Sequence, residues 1–498
     1  MESVAEGRPT ESDELTTLTS LPGELIVKII ECLDWTDILT LRQCCQLLSV
    51  LTKERSVWLA LFHRYYETEF AHPFFLPKPL SFCTAQDLES RILRWWHGLR
   101  RLSDASLKPD EFSVDDTWSR VNIMPVGGHD LFHSGDGGLW YRRRAGQSYP
   151  LTPPTTDSRD HIRIFCSFDL LSVYVGDIPG SNYTDIELAT FPISFNMVVL
   201  SKRQIGPWWE GVYQTDIRVW RIKVEVDDSS GEVLGYSSQL LRSFKCPDRN
   251  LEPYECSIYG PHVAFRAWAQ SVWMACIVDW TTIDPQDTSL KSLVIVAHLG
   301  VEAKRISLLP NKSLLYLCGH TDVSLCSWAS LAPVSSSFRD YSHLPNVQPL
   351  WRHSLPHESL LNWRNSMPRF IHRSIRIVLP TITGLFGVKI PIGALKDQQT
   401  DEIPQTVILA GGHYAKPLQY SWFGYHYSLH FDASQGFILD RYSWGDESTR
   451  GPPNQQSIHE FRPFRPKQML QGVYYDESLG ELSAFHNRFK SYRSLIGV

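Results

Sequence analysis

Apolar residues recur at helical spacing only in the first hundred or so positions of this chain, and beyond them the spacing gives way to short alternating runs. From residue 21 the text reads LPGELIVKIIECLDWTDILTLRQCCQLLSVLTKERSVWLALFHRYY. In it Leu25, Ile26, Ile29, Ile30 and Leu33 return every three or four positions, so the pattern predicts an amphipathic helix. Pro22 suits the entry of that helix, where a missing N–H costs nothing, and Glu24 complements the positive end of its dipole. Asp34 to Asp37 break the period, and an Asp or Thr there caps a second helix carrying Ile38, Leu39 and Leu41. Leu47, Leu48 and Leu51 predict a short third helix, and Val57, Trp58, Leu61 and Phe62 a fourth element that closes a small bundle.

Residues 69–79 contain His72-Pro73 and Leu76-Pro77-Lys78-Pro79, which exclude regular helix and read as a linker. Thr84 then caps a predicted helix over residues 85–102. Leu88, Ile92, Trp95, Trp96, Leu99 and Leu102 share one broad face, whose tryptophans are expected to pack on the next domain rather than read a ligand, and Arg91, Arg94, Arg100 and Arg101 form a solvated one.

From about residue 112 helical periodicity fades, and runs of β-branched and aromatic residues alternate with Gly, Pro, Asn and Asp turns, so the remainder is expected to be almost all β. Strands are predicted at 121–126, 162–167, 171–175, 197–201, 217–226, 262–267, 271–279, 293–298, 305–309, 314–318 and 323–328. Several such runs end on Trp: Trp140, Trp220, Trp280 and Trp328. Gly128-His129, Gly319-His320 and Gly412-His413 lie too close to any following Trp to match a repeat period and read as turns. Residues 334–404, with Arg352, His353, Arg364, Arg369, His372, Arg373 and Arg376 in poorly periodic text, read as an insertion, most simply a solvated loop. A receiver for an acidic partner is the sharper alternative.

The segment from Leu21 to Phe62 resembles the F-box family in its opening Leu21-Pro22, Glu24, the Leu33-Asp34 turn, Ile38 to Leu41, Cys45, Leu48 and Trp58. Trp35 stands where the family often has proline. The resemblance covers about a tenth of the chain. It implies docking on the Skp-type adaptor of a cullin ubiquitin ligase, with Leu21, Pro22, Leu25, Ile29, Leu33 and Leu41 supplying apolar contacts. Leucines at helical spacing are commonly core, but Leu21 and Pro22 lie outside the helical repeat. The helix after Thr84 resembles the connecting helix of many fungal F-box proteins. The strand-ending tryptophans resemble degenerate WD-repeat blades, which implies an irregular β-propeller of seven or eight blades over residues 112–498. The expected organisation is a multidomain α plus all-β chain: an acidic disordered tail (1–18), the F-box (19–66), linker and connecting helix (67–111), and the propeller-like domain (112–498).

Composition changes this picture little. In 498 residues, 43% hydrophobic content supports a packed core, and a net charge of −6 gives no general pull toward nucleic acid or anionic membranes. No apolar run approaches the length of a membrane span, and none near the amino terminus suits a signal peptide, so an intracellular place, cytoplasmic or nuclear, is expected. Ten cysteines offer only Cys44-Cys45 as a close pair, a spacing that suits neither zinc nor a CxxC redox motif, and buried thiols are expected. No GxSxG, HExxH, P-loop or Rossmann glycine pattern is present, and Asp157, Asp160 and His161 read as a turn rather than a metal site. No catalytic residue, metal or cofactor is assigned. The expected function is a non-catalytic adaptor that carries a protein substrate to the ligase. The alternatives are an F-box scaffold without a degradation role and a ligand-binding propeller using rim aromatics such as Trp208 and Trp209.

Overall fold

The computed structural model describes residues 18–66, 70 and 74–97 and, between 110 and 495, the strands given below. It also describes residues 138, 151–153, 170, 172, 190–193, 227–232, 246, 251, 260–261, 270–271, 280–284, 299, 310–312, 319, 321, 328–332, 347, 355, 368, 392, 403–404, 424, 442 and 444. The chain divides into two compact units, Met1–Tyr66 with Thr84–Ile92, and Glu67–Cys83 with Leu93–Val498. The expectations for the acidic tail up to residue 17, for 157–161, for Trp208 and Trp209, for 171 and 173–175, and for Gly128 and Gly412-His413 lie outside the described residues.

In the first unit the predicted bundle is four helices: α1 (Gly23–Glu31), α2 (Trp35–Arg42), α3 (Gln46–Leu51) and α4 (Arg55–Tyr66). Ile26, Ile30, Ile38, Leu48, Val57, Trp58, Leu61 and Phe62 form its buried interior. Asp34 caps α2 by accepting from the Trp35 amide at 2.8 Å, so Trp35 uses an N–H that a proline would lack. Arg64 donates to the carbonyls of Leu33 and Glu31 and closes the end of α1. Helix α5 (Ala85–His97) starts on a reciprocal cap: the Asp87 carboxylate accepts from the Thr84 amide at 2.9 Å, and the Thr84 hydroxyl accepts from the Asp87 amide at 3.1 Å. Arg91, expected on a solvated face, is buried.

The second unit begins with the proline-broken segment, which is packed rather than loose. Phe70, Phe75 and Leu76 are fully buried, Phe70 stacks on Phe75 at 4.0 Å, and Trp95 sets its edge against both. Phe74 packs edge-on against Phe191 and Phe195, each at 5.8 Å. Trp95 therefore packs on Phe70 and Phe75 of the proline-broken segment, where the next domain had been expected to receive it.

Among the described residues seven antiparallel sheets follow, each almost entirely a run of consecutive strands. The first contains Met124–Val126, His129–His133, Leu139–Arg143 and Ser148–Pro150, and the second Ile162–Asp169, Ser194–Gln204, Tyr213–Val226 and Val233–Lys245. The third has Glu252–Tyr259, His262–Ala269, Val272–Asp279 and Val294–His298, with Pro333–Val334 added at its edge. The fourth has Ala303–Leu309, Ser313–Cys318, Asp322–Ser327 and Pro349–Ser354, and the fifth Arg369–Ile371, Ser374–Thr381, Gly384–Pro391 and Gln405–Gly411. The sixth has Ser421–Phe423, Tyr427–Asp432, Gly436–Arg441 and Ile458–Phe461. The seventh joins Leu470–Asp476, Glu481–His486 and Lys490–Leu495 to the first strand of the β region, Asp110–Ser113. First strands of neighbouring sheets pack together, Glu252–Tyr259 lying against both Ile162–Asp169 and Ala303–Leu309. Consecutive four-stranded meanders, with the last sheet completed by the first strand, have the strand order of β-propeller blades.

Two expectations are corrected. The described parts of residues 334–404 are no insertion: Ser374–Thr381 is buried along its whole length and Gly384–Pro391 nearly so, the pair forming the middle of the fifth sheet. Two of the described cations there have separate places, Arg376 buried over the Trp444 ring at 5.2 Å and Arg352 paired with Asp322. Arg364, His372 and Arg373 lie outside the described residues. The tryptophans split into two kinds. Trp280 and Trp328 follow the third strands of the third and fourth sheets, and each donates its amide back to the first turn of its own sheet, Trp280 to Pro261 and Trp328 to Lys312. Trp140 and Trp220 lie inside strands and have no such place.

Candidate docking surface

Helix α1 is apolar on two adjacent stripes. Ile26 and Ile30 are 0% exposed and fill the bundle, while Leu25 and Ile29, one position earlier, are 52% and 41% exposed. A helix this short cannot turn both stripes inward, because residues one apart are separated by about 100° around the axis. Pro22 is exposed at its start, and Leu21, Leu33 and Leu41 are half-buried. All six residues anticipated for docking therefore keep surface, and none belongs to the buried interior.

Three more apolar side chains of the helical unit are exposed. Leu47 is 43% and Val50 56% exposed on α3, and Leu18 lies at the surface ahead of α1. Leu47 was expected in the core with Leu48, but only Leu48 is buried. The sequence QLLSVL holds the signal: four apolar residues in six positions leave no polar face, so part of the set has to point outward.

What holds this surface in place is a polar knot that the sequence does not announce. The buried Trp58 indole donates to the Thr52 carbonyl at 2.9 Å, and the Arg42 guanidinium lies 5.7 Å from the Trp58 ring centroid. Arg42 also grips Glu89 of α5 through two bonds of 2.6 and 3.1 Å. A bidentate, partly buried pair of this kind fixes geometry better than a single surface contact. On the rim, the Lys28 ammonium beside Glu31 holds that carboxyl below the usual carboxylate range, and burial, reinforced by Arg55, lowers the His63 imidazole.

The thiols depart from expectation. Cys83, Cys256, Cys276 and Cys326 are buried, but Cys32, Cys44 and Cys45 are exposed, all on the helical unit. Gln43 through Leu47 form an unbroken exposed run between the half-buried Leu41 and the buried Leu48.

The sheet unit offers a different surface. The Arg266 guanidinium lies between the Tyr254 and Trp273 rings, at 5.4 and 4.6 Å, and Lys202 sits over Tyr254 while pairing with Glu252. These cations and rings satisfy one another across the second and third sheets, leaving Trp268 exposed beside them. Leu350 and Ile408, on the outermost strands of the fourth and fifth sheets, are also exposed. Among the described residues no group of three His, Cys, Asp or Glu side chains could hold a metal ion, and no helix is long and apolar enough to cross a membrane.

No protein-family model matches the chain, and no curated protein matches it. Among solved structures it is similar to the WD40 β-propeller domain of Doa1, with a TM-score of 0.32 and 8% identity over 78% of this chain and 96% of that one. It is also similar to the β-propeller domain of Myceliophteria thermophila Cps50 (Swd1), with a TM-score of 0.43 and 8% identity over 78% of this chain and 100% of that one.

Proposed function

We propose that the helical unit is an F-box and that the chain is a non-catalytic, intracellular adaptor of a cullin ubiquitin ligase. Leu21, Pro22, Leu25, Ile29, Leu33 and Leu41, joined by Leu47 and Val50, dock on the Skp-type adaptor, and the sheet unit, a seven-bladed propeller, presents a protein substrate. The observation that carries this reading is the second apolar stripe of α1, which its own bundle leaves on the surface. A small bundle stabilised by burial has reason to keep such residues outside when a partner covers them. The chain would then act by proximity alone. Holding a substrate lysine beside a charged ubiquitin-conjugating enzyme makes their encounter intramolecular, at effective concentrations of the order of millimolar, while the bond chemistry belongs to the partners.

The test is co-purification of a Skp-type adaptor with the wild type, with Leu21→Ala/Pro22→Ala and with Leu25→Ala/Ile29→Ala. Adaptor retained by the wild type and lost from both variants, with circular dichroism unchanged, is the expected result. A wild type that retains none overturns the reading.

A further inference from the structure

Sequence alone gives the Cys44-Cys45 thiols no zinc or CxxC role, and their placement supplies another. We infer that the Cys44-Cys45 pair is a site of reversible S-thiolation by a small-molecule disulfide of the glutathione type, and that modification there closes the apolar docking face; this rests on the adaptor reading above. Three observations support it. The pair lies in the exposed run from Gln43 to Leu47 and stands between Leu41 and Leu47 in the sequence, so a group added there is carried by the same segment as residues assigned to docking. The Cys44 thiol donates to the Thr40 carbonyl at 3.5 Å, whereas the Cys45 thiol, on the cap of α3, makes no hydrogen bond among the described residues and faces solvent. Three buried thiols of the sheet unit are set apart from such chemistry: burial pushes Cys256 and Cys276 well up and Cys326 up to about 12, so they stay protonated, while Cys166, Cys246 and Cys318 are only partly buried.

The step is thiol–disulfide exchange. A thiolate of the pair attacks one sulfur of oxidised glutathione, the S–S bond of that molecule breaks, and one glutathione leaves as a thiolate that takes up a proton from solvent. The cysteine is oxidised to a mixed disulfide as half of the glutathione dimer is reduced, and excess thiol reverses the exchange. The attached tripeptide carries two carboxylates and one ammonium group, and this hydrated, net negative group on the segment that holds Leu41 and Leu47 opposes the desolvation that an apolar interface needs.

The experiment treats the full-length chain with reduced or oxidised glutathione, locates the mass gain by peptide mass spectrometry, and measures capture of purified Skp-type adaptor before and after dithiothreitol. The expected result is a glutathionyl group on the peptide holding Cys44 and Cys45, a fall in captured adaptor of roughly tenfold or more, recovery with dithiothreitol, and no response in Cys44→Ser/Cys45→Ser. Modification confined to other cysteines overturns the inference, as does modification of the pair with capture unchanged, or an equal fall in the double variant. If the reduced chain captures no adaptor, the docking reading itself fails, and the mass gain, read separately, shows which of the two statements was at fault.

Discussion

The helical unit and the sheet unit solve opposite problems with similar amounts of apolar sequence. In the sheets, a central strand such as Ser374–Thr381 is buried on both faces along its whole length. In the bundle, four short helices can cover only one stripe each, and Leu25, Ile29, Leu47 and Val50 are left in water. A stack of sheets can therefore bury both faces of a strand, whereas a small bundle with this sequence leaves apolar side chains of its first and third helices on the surface.

The largest effect is expected at Trp58, where ring burial, the bond to Thr52 and the Arg42 contact converge. Trp58→Ala should lower the stability of the helical unit by about 3–5 kcal/mol, read by chemical denaturation followed by helical circular dichroism. A loss under 1 kcal/mol would show that the unit does not depend on this knot.

The comparison sharpens at two isoleucines three residues apart on one helix. Ile26→Ala should cost about 2–5 kcal/mol because it opens a cavity, whereas Ile29→Ala should change stability by no more than about 0.5 kcal/mol. Adaptor capture should follow the reverse logic, with the Ile29 variant folded but deficient. Equal destabilisation by both would remove the distinction between a core stripe and a docking stripe.

Legibility follows the same divide. The four helices and most strands between residues 162 and 328 could be read because periods of 3.6 and 2 report which side of an element is covered, whereas no strand beyond 328 was predicted. The period does not report by what, so Leu47 and Leu48 look alike in sequence and only the bundle separates them. Residues 374–391 escaped notice because a strand buried on both faces loses its alternation, and its arginines suggested solvent. Arg376 is instead buried over Trp444, and that pairing, like Arg42 with Glu89, joins residues far apart in sequence.

In the sheet unit the sensitive contact is between Gly387 and Trp444. A methyl group at Gly387 would lie 2.8 Å from Cη2 and 2.9 Å from Cε3 of that buried ring. Gly387→Ala should therefore destabilise the sheet unit by about 1–3 kcal/mol through overpacking. Thermal unfolding should show the loss, and the smaller ring of Trp444→Phe should reduce the added penalty of the alanine in a double-mutant cycle. Additive effects would mean that the two residues do not meet.

The smallest expected effect also belongs to the sheets and separates them from the bundle by pH. His262 sits with its ring 4.8 Å from that of Trp328, and burial lowers its basicity, with Asp279 opposing and Lys312 reinforcing the shift. Because the folded chain binds this proton less readily than the unfolded one, its neutral form favours folding fully above about pH 6.5, the ordinary value for histidine. Stability is then lost as pH falls below that value toward the lowered folded one, at no more than about 1.4 kcal/mol per pH unit for a single proton. His262→Gln should flatten this part of the profile for the sheet unit without altering acid sensitivity that arises in the helices. If the variant and the wild type lose stability in parallel between pH 6.5 and 5, the proton is bound elsewhere, and the contact with Trp328 is a matter of packing rather than of charge.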